Sequence, residues 1–333
     1  YVRDASTDSF TSTPNLKHAG IKSLLGTPLI VRDKLIGVLV LGEREVRKYS
    51  RADVKLFETM ATRTALIVEN AELSDDLART ARAVEKTLER ELNFSRMLQR
   101  ALLPPKLVMA SGYAVAEVYI PAYRTREIGG DFYDVFTTES GMSAVMIGDV
   151  SGKGIEAASL AAATRSTVRA FAYERSESGI SISLANRVLG GQLPASTDPV
   201  LFVTVCLAII DPATGDMRYA SAGHLPPAIF RAADRRVEFL THGDPPIGIF
   251  ADWDFTEVSS RLGFGDKIVL YTDGLTEARH DKGMFDEEGI ARVLKEHGHL
   301  PPDELVGRLV GAARDWAGGR FSDDTAIIVL ERL

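Results

Sequence analysis

The chain has 333 residues, of which 45% are hydrophobic, and its formal net charge at pH 7 is −7. This length and apolar content favour two domains with sizeable cores, and the negative charge argues against a nucleic-acid-binding surface, which needs cations to displace counterions from phosphates. The single cysteine, Cys206, lies in an apolar run, which predicts a buried, inert thiol and excludes disulfides and thiolate metal sites. No signal peptide and no run of about 18 apolar residues is present, which predicts a cytoplasmic protein without a membrane partner. Because the chain begins with Tyr1 rather than Met, we expect it to be a fragment of a longer protein.

The first predicted elements are two strands and a helix. Residues 27–31 and 35–41 flank a polar turn, as in a β-hairpin, and both runs are apolar enough that we expect them to be well covered. Ser50 is a candidate N-cap, and Asp53 supplies an acidic group in the first turn of the following helix. The segments LLGTPL, LIGVLVLGE and YSRADVKLFETMATRTALIVENAEL resemble the C-terminal part of a GAF domain. This resemblance implies that residues 1–72 are part of a sensor domain.

The next segment is predicted to be a long helix. Residues 66–103 contain no proline or glycine, and their charges alternate. A strict heptad from Leu73 places threonine and glutamate in the seam, whereas an 11-residue spacing is apolar throughout and predicts a nearly straight or slightly right-handed seam. The positions of that spacing are Leu73, Leu77, Ala81, Val84, Leu88 and Leu92. We therefore predict that residues 73–103 form a linker helix that pairs two protomers as a coiled coil; the alternative is an amphipathic helix lying on its own domain.

Pro104 and Pro105 end this helix, and residues 104–333 are predicted to be one α/β domain. The predicted strands are residues 114–119, 143–147, 201–210, 217–220, 228–231, 267–271 and 325–330. The predicted helices are residues 155–173, 181–189, 287–296 and 302–316. The turn-forming residues 211–216 predict a hairpin, so part of the sheet is antiparallel. We predict an α/β/β/α sandwich of two mainly antiparallel sheets flanked by helices.

Four acidic motifs lie at the edges of short apolar runs. Asp131 belongs to GGD, Asp149 to GDVSG and Asp273 to TDG, whereas Asp323 and Asp324 belong to SDD. If these strand ends meet, mutual repulsion raises the pKa of each carboxyl group unless a multivalent cation neutralises the charge. Ligation by oxygen alone suits Mg²⁺ or Mn²⁺. The sequence therefore predicts a carboxylate site for two metal ions.

Five motifs follow one another over residues 104–333: EIGGDFYDVF, VMIGDVSGKGIEAA, YASAGHLPP, IVLYTDGLTEAR and SDDTAIIVL. In this order they resemble the bacterial metal-dependent PP2C-type (PPM) Ser/Thr phosphatases of the SpoIIE and RsbU group. The resemblance implies two Mn²⁺ or Mg²⁺ ions in each active site. Phosphate-ester hydrolysis suits such a site because paired ions about 4 Å apart lower the pKa of a shared water molecule and clamp the phosphoryl group.

The resemblance also implies the ligands of these ions. The matching positions are Asp131, Asp149, Val150, Asp273, and Asp323 or Asp324. Asp149 would bridge both ions, and Val150 would contribute its carbonyl oxygen. Asp131 would bind the second ion, whereas Asp273 and Asp323 would bind the first, since Asp323 fits the family spacing better than its neighbour. Asp131, Asp149 and Asp273 are therefore the candidate catalytic residues.

Other residues have weaker claims. His224 precedes a Leu-Pro-Pro turn, where a turn-stabilising histidine is commoner than a proton donor to the leaving group. Arg124 and Arg126 precede Asp131 and are candidates for binding the substrate phosphate, although a solvated arginine is the commoner outcome. The run ending at Lys153 is not a phosphate-binding Walker A loop, because its spacing is too short and Gly follows the lysine.

The resemblance implies a cytoplasmic protein serine/threonine phosphatase, regulated by the N-terminal sensor through the linker helix. Its implied substrate is phosphoserine on a STAS-type anti-anti-sigma protein, in a partner-switching pathway that controls a sigma factor. One alternative is a non-catalytic scaffold that binds this substrate without turnover. A second is a two-metal phosphodiesterase or nuclease, which the acidic charge and the absence of a basic groove disfavour.

Overall fold

The structure, a computed structural model, describes residues 20–104, 107, 111–122, 128–190, 201–241, 243–281 and 283–333; for residues 89 and 91–102 it describes the backbone alone. The chain divides into two compact units, one ending at Arg90 and the other beginning at Glu91. Across the described residues, no helix combines the length and the apolar character that a membrane span requires.

The first unit contains a β-hairpin and the beginning of a long helix. Strands β1 (Ser23–Val31) and β2 (Lys34–Glu43) pair in antiparallel fashion, and helix α1 (Arg51–Leu102) runs for 52 residues. The backbone amide of Ser50 donates to the Asp53 carboxylate over 2.8 Å, and the amide of Asp53 donates back to the Ser50 hydroxyl over 3.1 Å. This reciprocal capping box confirms the predicted start of the helix.

The expectation that both hairpin strands are well covered is wrong for β2. Leu35 and Val38 are 61% and 60% exposed. Side chains alternate between the two faces of a strand, and the buried core on this hairpin consists of β1 residues packed against Ala61 and Ala65 of α1. The helix therefore covers one face, and no other described element of this unit lies against the opposite one.

The second unit is built from antiparallel strands and helices. Its strands are β3 (Tyr113–Ile120), β4 (Phe132–Thr137), β5 (Ser143–Val150), β6 (Val203–Ile210), β7 (Asp216–Ala222), β8 (Ala228–Phe230), β9 (Val237–Phe239), β10 (Val258–Arg261), β11 (Lys267–Tyr271), β12 (Arg279–His280), β13 (Gly283–Met284) and β14 (Thr325–Arg332). Its helices are α2 (Ile155–Arg175), α3 (Ser178–Gly190), α4 (Asp273–Thr276), α5 (Asp286–His297) and α6 (Pro302–Trp316). Within the described residues two five-stranded sheets form, with the orders β10-β7-β6-β5-β4 and β3-β14-β11-β8-β9, and their neighbouring strands are antiparallel.

The alternation of side chains along the strands produces the layers. On β5, Val145 and Ile147 belong to the core shared with the second sheet, whereas Ala144 and Met146 belong to the core shared with α2 and α3. The second sheet has its other face packed against α5 and α6. Full burial of a larger apolar side chain such as Val145, Met146 or Ile147 stabilises the fold by about 1.5–3 kcal/mol. The predicted α/β/β/α sandwich of two antiparallel sheets is confirmed.

Several strands were missing from the prediction, and among them is β4, at the edge of the first sheet. Strand β4 contains Asp134, whose side chain interrupts the apolar pattern although it is only 2% exposed. An ion pair of 2.7 Å with Arg169 of α2 neutralises it. A buried charge is stable in a strand only when such a partner exists, and a partner 35 residues away cannot be recognised from local pattern.

Candidate active site

The acidic motifs meet at one end of the sandwich. Pairing of Phe132 with Gly148 places Asp131, just before β4, next to Asp149, near the end of β5. On the second sheet, Asp273 follows β11, and the Ser-Asp-Asp motif directly precedes β14, which pairs with β11. The two sheets therefore present their carboxylates towards the same cleft.

This cleft has a volume of about 430 Å³. Its lining residues are Gly130, Asp131, Asp149, Val150, Ser151, Gly152, Lys153, Phe202, Thr204, Gly223, His224, Leu225, Asp273, Glu277, Asp323 and Asp324. All the residues that the sequence analysis put forward as metal ligands are among them. The predicted gathering of carboxylates is thus present, together with a further acid, Glu277, that the motifs did not indicate.

A threonine joins the two sheets at the floor of the cleft. The hydroxyl of Thr272 donates a hydrogen bond of 2.7 Å to the Asp131 carboxylate and accepts one of 2.8 Å from the backbone amide of Ala326. Asp131 is 7% exposed and Thr272 is fully buried, so this bond fixes the carboxylate within the cleft. Sequence reasoning missed Thr272, although its place in the Thr-Asp-Gly motif was a usable signal.

Gly130 permits the close approach of two chain segments. A Cβ atom at this position would lie 2.5 Å from the carbonyl oxygen of Val150 and 2.9 Å from a carboxylate oxygen of Asp149. Both distances are shorter than a van der Waals contact, so a side chain here would displace the β5 end from the GGD loop. The predicted oxygen ligands of Asp149 and Val150 therefore depend on this glycine for their placement.

The two aspartates before β14 have different environments. Asp324 is 5% exposed, and its carboxylate accepts a hydrogen bond of 2.7 Å from the backbone amide of Ala122. Asp323 is more accessible, and its carboxylate lies 2.7 Å from the Lys153 ammonium group. In the sequence, Lys153 was considered only as the lysine of a Walker A loop, whose spacing it does not match. Its position four residues after Asp149 was the signal that it lies near the cleft.

Burial and crowding perturb the ionisation of these carboxyl groups. Burial, followed by the charge of Asp149, raises the pKa of Asp131 well above its ordinary value. Burial is also the main cause that raises the pKa of Asp149 to about 7, and the charges of Asp273 and Asp323 add to it. The pKa values of Asp273 and Asp324 are raised as well, again chiefly by burial. Such a cluster of unfavourable anions fits a multivalent cation, because oxygen donors are the ligands that Mg²⁺ and Mn²⁺ prefer.

The carboxylate side chains of the cleft do not all point towards one common ion position. In the described part of the chain, no group of three acidic, histidine or cysteine side chains converges closely enough to hold an ion. Asp131 is held by Thr272, Asp324 by a backbone amide, and Asp323 by Lys153. The carboxylate oxygens therefore have the chemistry of metal ligands. In this structure, hydrogen-bond donors of the protein itself bind several of them.

His224 has both ring nitrogens occupied. Its Nε2 lies 3.1 Å from the carbonyl oxygen of Tyr271, and its Nδ1 lies 3.0 Å from the Thr204 hydroxyl. A carbonyl oxygen only accepts, so Nε2 carries the proton and Nδ1 accepts from Thr204. Burial lowers the pKa of His224 to about 4. This geometry matches the turn-stabilising role rather than that of a proton donor. Arg124 and Arg126, the other substrate-binding candidates, lie outside the described residues.

Family comparison matches the chain in two regions. Residues 139–333 match the family described as "Stage II sporulation protein E (SpoIIE)", and residues 1–69 match a GAF domain family. Asp131 precedes the first of these ranges, whereas Asp149, Asp273 and Asp323 lie within it. The matches agree with the phosphatase and sensor resemblances found in the sequence.

Individual relatives are similar over most of the chain. "Phosphoserine phosphatase RsbU" of Bacillus subtilis is 26% identical over 253 residues, which cover 76% of this chain and 73% of that protein. "Phosphoserine phosphatase RsbP" of the same organism is 26% identical over 251 residues, 73% of this chain but 58% of that protein. Among solved structures, the "SiaA-PP2C domain of Pseudomonas aeruginosa" superposes with a TM-score of 0.62 at 20% identity and covers 75% of this chain and 99% of that domain. That likeness shows a shared PP2C fold.

Proposed function

The chain belongs to the SpoIIE family and is a serine/threonine phosphatase. From this premise we propose that it hydrolyses phosphoserine on a protein substrate with the aid of two divalent metal ions. The observation that carries the proposal is the cleft in which carboxylates from both sheets meet. Two relatives are named as phosphoserine phosphatases, which supports phosphoserine as the substrate group.

The proposed metal ligands are the acidic side chains of the cleft and one backbone carbonyl. They are Asp131, Asp149, Val150, Asp273, Asp323 and Asp324. Bound there, two Mn²⁺ or Mg²⁺ ions would supply Lewis acidity for the activation of water and positive charge to offset that of the phosphoryl group.

The protein's own groups prepare the cleft for this chemistry. Thr272 orients the Asp131 carboxylate through its hydroxyl, and Gly130 lets the Val150 carbonyl face the same space. The Lys153 ammonium group lines the cleft beside Asp323, and its positive charge can bind the phosphate group of a monoester. The neutral ring of His224 links β6 to β11 through its hydrogen bonds to the Thr204 hydroxyl and the Tyr271 carbonyl oxygen.

The first test is the release of phosphate from a serine-phosphorylated STAS-domain protein in the presence of Mn²⁺. We expect activity that chelation abolishes and that Asp149→Asn lowers by at least about 100-fold, because the variant removes a charge on which the metal site depends. Asp315→Asn, on the exposed surface of α6, is the matched control and should retain full activity.

Two other results of this assay would contradict the proposed two-metal phosphatase. Binding of Mn²⁺ without turnover of any phosphoserine protein would favour the non-catalytic scaffold. Activity that survives chelation or Asp149→Asn would contradict the two-metal site.

The proposed substrate class is a STAS-type anti-anti-sigma protein in the cytoplasm, because the family resemblance implies a partner-switching pathway. The proposed domains are a partial GAF domain at 1–72, a linker helix at 73–103 and the phosphatase domain at 104–333. We further propose that the linker transmits the state of the sensor to the cleft. The unbroken course of α1 supports this proposal, since a continuous helix carries movement along its axis.

The linker is also the proposed contact between two protomers. Leu73, Leu77 and Val84 of the 11-residue seam are 56%, 73% and 60% exposed. Apolar side chains with this spacing and exposure form a stripe that pairing with a second helix would bury. Their exposure favours the paired helix over one whose seam lies on its own domain.

A further inference from the structure

Three exposed apolar side chains lie close together on the second unit. Ile249, Phe250 and Trp253 are 42%, 53% and 37% exposed, and the rings of Phe250 and Trp253 have centroids 5.5 Å apart. We call these three side chains the rim patch, and the segment that carries them, residues 243–256, the rim loop. Single exposed apolar residues are ordinary on protein surfaces, but two aromatic rings in tilted contact, next in sequence to an exposed aliphatic residue, form a coherent apolar surface.

The rim loop is joined to the wall of the candidate active site. Ile247 exchanges two backbone hydrogen bonds with Val203, of 2.8 and 3.1 Å, and the amide of Gly223 donates to the carbonyl oxygen of Asp244 over 2.7 Å. Phe202, the neighbour of Val203, and Gly223 itself both line the cleft. The rim loop is therefore attached directly to two segments that line the cleft.

A buried asparagine fixes the part of the rim loop that bears the patch. Asn186 of α3 is fully buried. Its side-chain amide donates to the carbonyl oxygens of Phe250 and Ala251 over 2.8 and 3.1 Å, and its oxygen accepts from the amide of Gly248 over 3.0 Å. These three bonds hold the backbone below the aromatic rings in one conformation. A preorganised surface loses less conformational entropy when a partner binds.

We propose that the rim patch is the docking surface for the protein that carries the phosphoserine; this inference rests on the proposed function. A phosphoserine side chain that enters the cleft brings the surface of its own protein over the cleft rim. The occupant is a folded phosphoprotein with apolar side chains beside its phosphoserine. Buried aromatic anchors supply most of the binding energy of protein interfaces, and the patch offers two of them on a loop that is hydrogen-bonded to the cleft wall.

The size of the substrate separates docking from catalysis. A small phosphate ester such as p-nitrophenyl phosphate can occupy the carboxylate cleft without covering Phe250 or Trp253. A phosphoprotein covers both. Loss of the patch should therefore raise the KM of the phosphoprotein and leave hydrolysis of the small ester unchanged.

The test compares Phe250→Ser/Trp253→Ser with a matched control, Phe264→Ser. Phe264 is 73% exposed, and the neighbouring Gly265 bonds to Arg332, at the end of β14 farthest from Asp324. With Mn²⁺ and a serine-phosphorylated STAS-domain protein, we expect the double variant to raise KM by about 10- to 100-fold. Its kcat/KM for p-nitrophenyl phosphate should stay within about twofold of the original, and the control should change neither value. Trp253→Phe, which keeps an aromatic ring, should retain most of the affinity.

Three outcomes would overturn the inference. An unchanged KM for the phosphoprotein would show that the rim patch takes no part in docking, while the proposed function would stand. An equal loss of activity on both substrates would assign the patch to the stability of the cleft. If the original chain hydrolyses p-nitrophenyl phosphate but no phosphoserine protein, the proposed function fails together with the docking surface.

Discussion

At the scale of single residues, the cleft shows how burial sets the chemistry of a side chain. His224 lies in a motif next to acidic groups, where a protonated imidazole would be attractive. Its ring is nevertheless buried between Thr204 and the Tyr271 carbonyl, and desolvation favours the neutral form. Cys206 shows the same effect, since burial raises its thiol pKa to about 12 and leaves it unreactive, as predicted.

This environment of His224 has a measurable effect on stability. Its pKa is about 4 in the folded state, against 6.5 for the ordinary imidazole, so its contribution is fully present above pH 6.5 and is lost as the pH falls towards 4. Between pH 8 and pH 5 the contribution of His224 to the free energy of unfolding should fall by about 2 kcal/mol. Asp149, whose pKa is raised, stabilises the fold as the pH falls and so acts in the opposite direction. Urea unfolding of the original chain and of His224→Gln at both pH values isolates the contribution of His224, because the imidazole titrates only in the original chain. Equal changes in both proteins would contradict the assigned state of the ring.

At the scale of elements, the site depends on the fit between α4 and the segment before β14. Gly274, in α4, has no room for a side chain: a Cβ atom there would collide with the carbonyl oxygen of Asp324 and would lie 2.5 Å from the Thr325 hydroxyl. Asp273 is the first residue of the same helix. The contact between these two elements therefore sets the spacing between Asp273 and the Ser-Asp-Asp motif.

We expect Gly274→Ala to destabilise the protein by about 1–3 kcal/mol through overpacking. It should also weaken Mn²⁺ binding, because the segment before β14 must move away from Asp273. Gly307→Ala is the matched control: Gly307 lies in α6, a Cβ there would meet no atom within 4 Å, and alanine favours helix by about 1 kcal/mol. Urea unfolding and calorimetric titration with Mn²⁺ would measure both effects. Normal Mn²⁺ affinity in a destabilised Gly274→Ala would show that this contact serves stability alone.

At the scale of the whole molecule, the described cores of the two units share no residue. The cores of the first unit involve side chains between Leu25 and Ala65, whereas those of the second involve side chains from Leu103 onwards. Each unit therefore has its own hydrophobic stabilisation, as expected for separate domains. The proposed communication between sensor and cleft would run along helix α1, which continues from the first unit into the second.

Deletion of residues 1–72 tests this communication. The remaining chain should keep the fold of the second unit, but its phosphatase rate and its Mn²⁺ dependence should change, because the deletion removes the sensor that we propose sets the state of the helix. Phosphate release over a range of Mn²⁺ concentrations is the measurement, and sedimentation of 73–333 beside 104–333 should show dimers only for the longer fragment. Unchanged rate and metal dependence would eliminate regulation through the linker.

The sequence by itself determined the sandwich architecture and the acidic motifs of the site. Short apolar runs predicted most of the longer strands, the Ser50 N-cap and Pro104-Pro105 delimited the long helix, and the motifs indicated which carboxylates belong together. These signals are local, because each depends on residues within a few positions of one another.

The tertiary structure alone decided which groups touch. Lys153 pairs with Asp323 across 170 residues, Thr272 with Asp131 across 141, and Asn186 with the rim loop across more than 60. The exposure of β2 and the tolerance of Asp134 inside β4 were likewise set by what packs against each strand. The physical reason is that strand register and sheet packing are fixed by the whole core, so contacts between distant segments exist only once all the layers are in place.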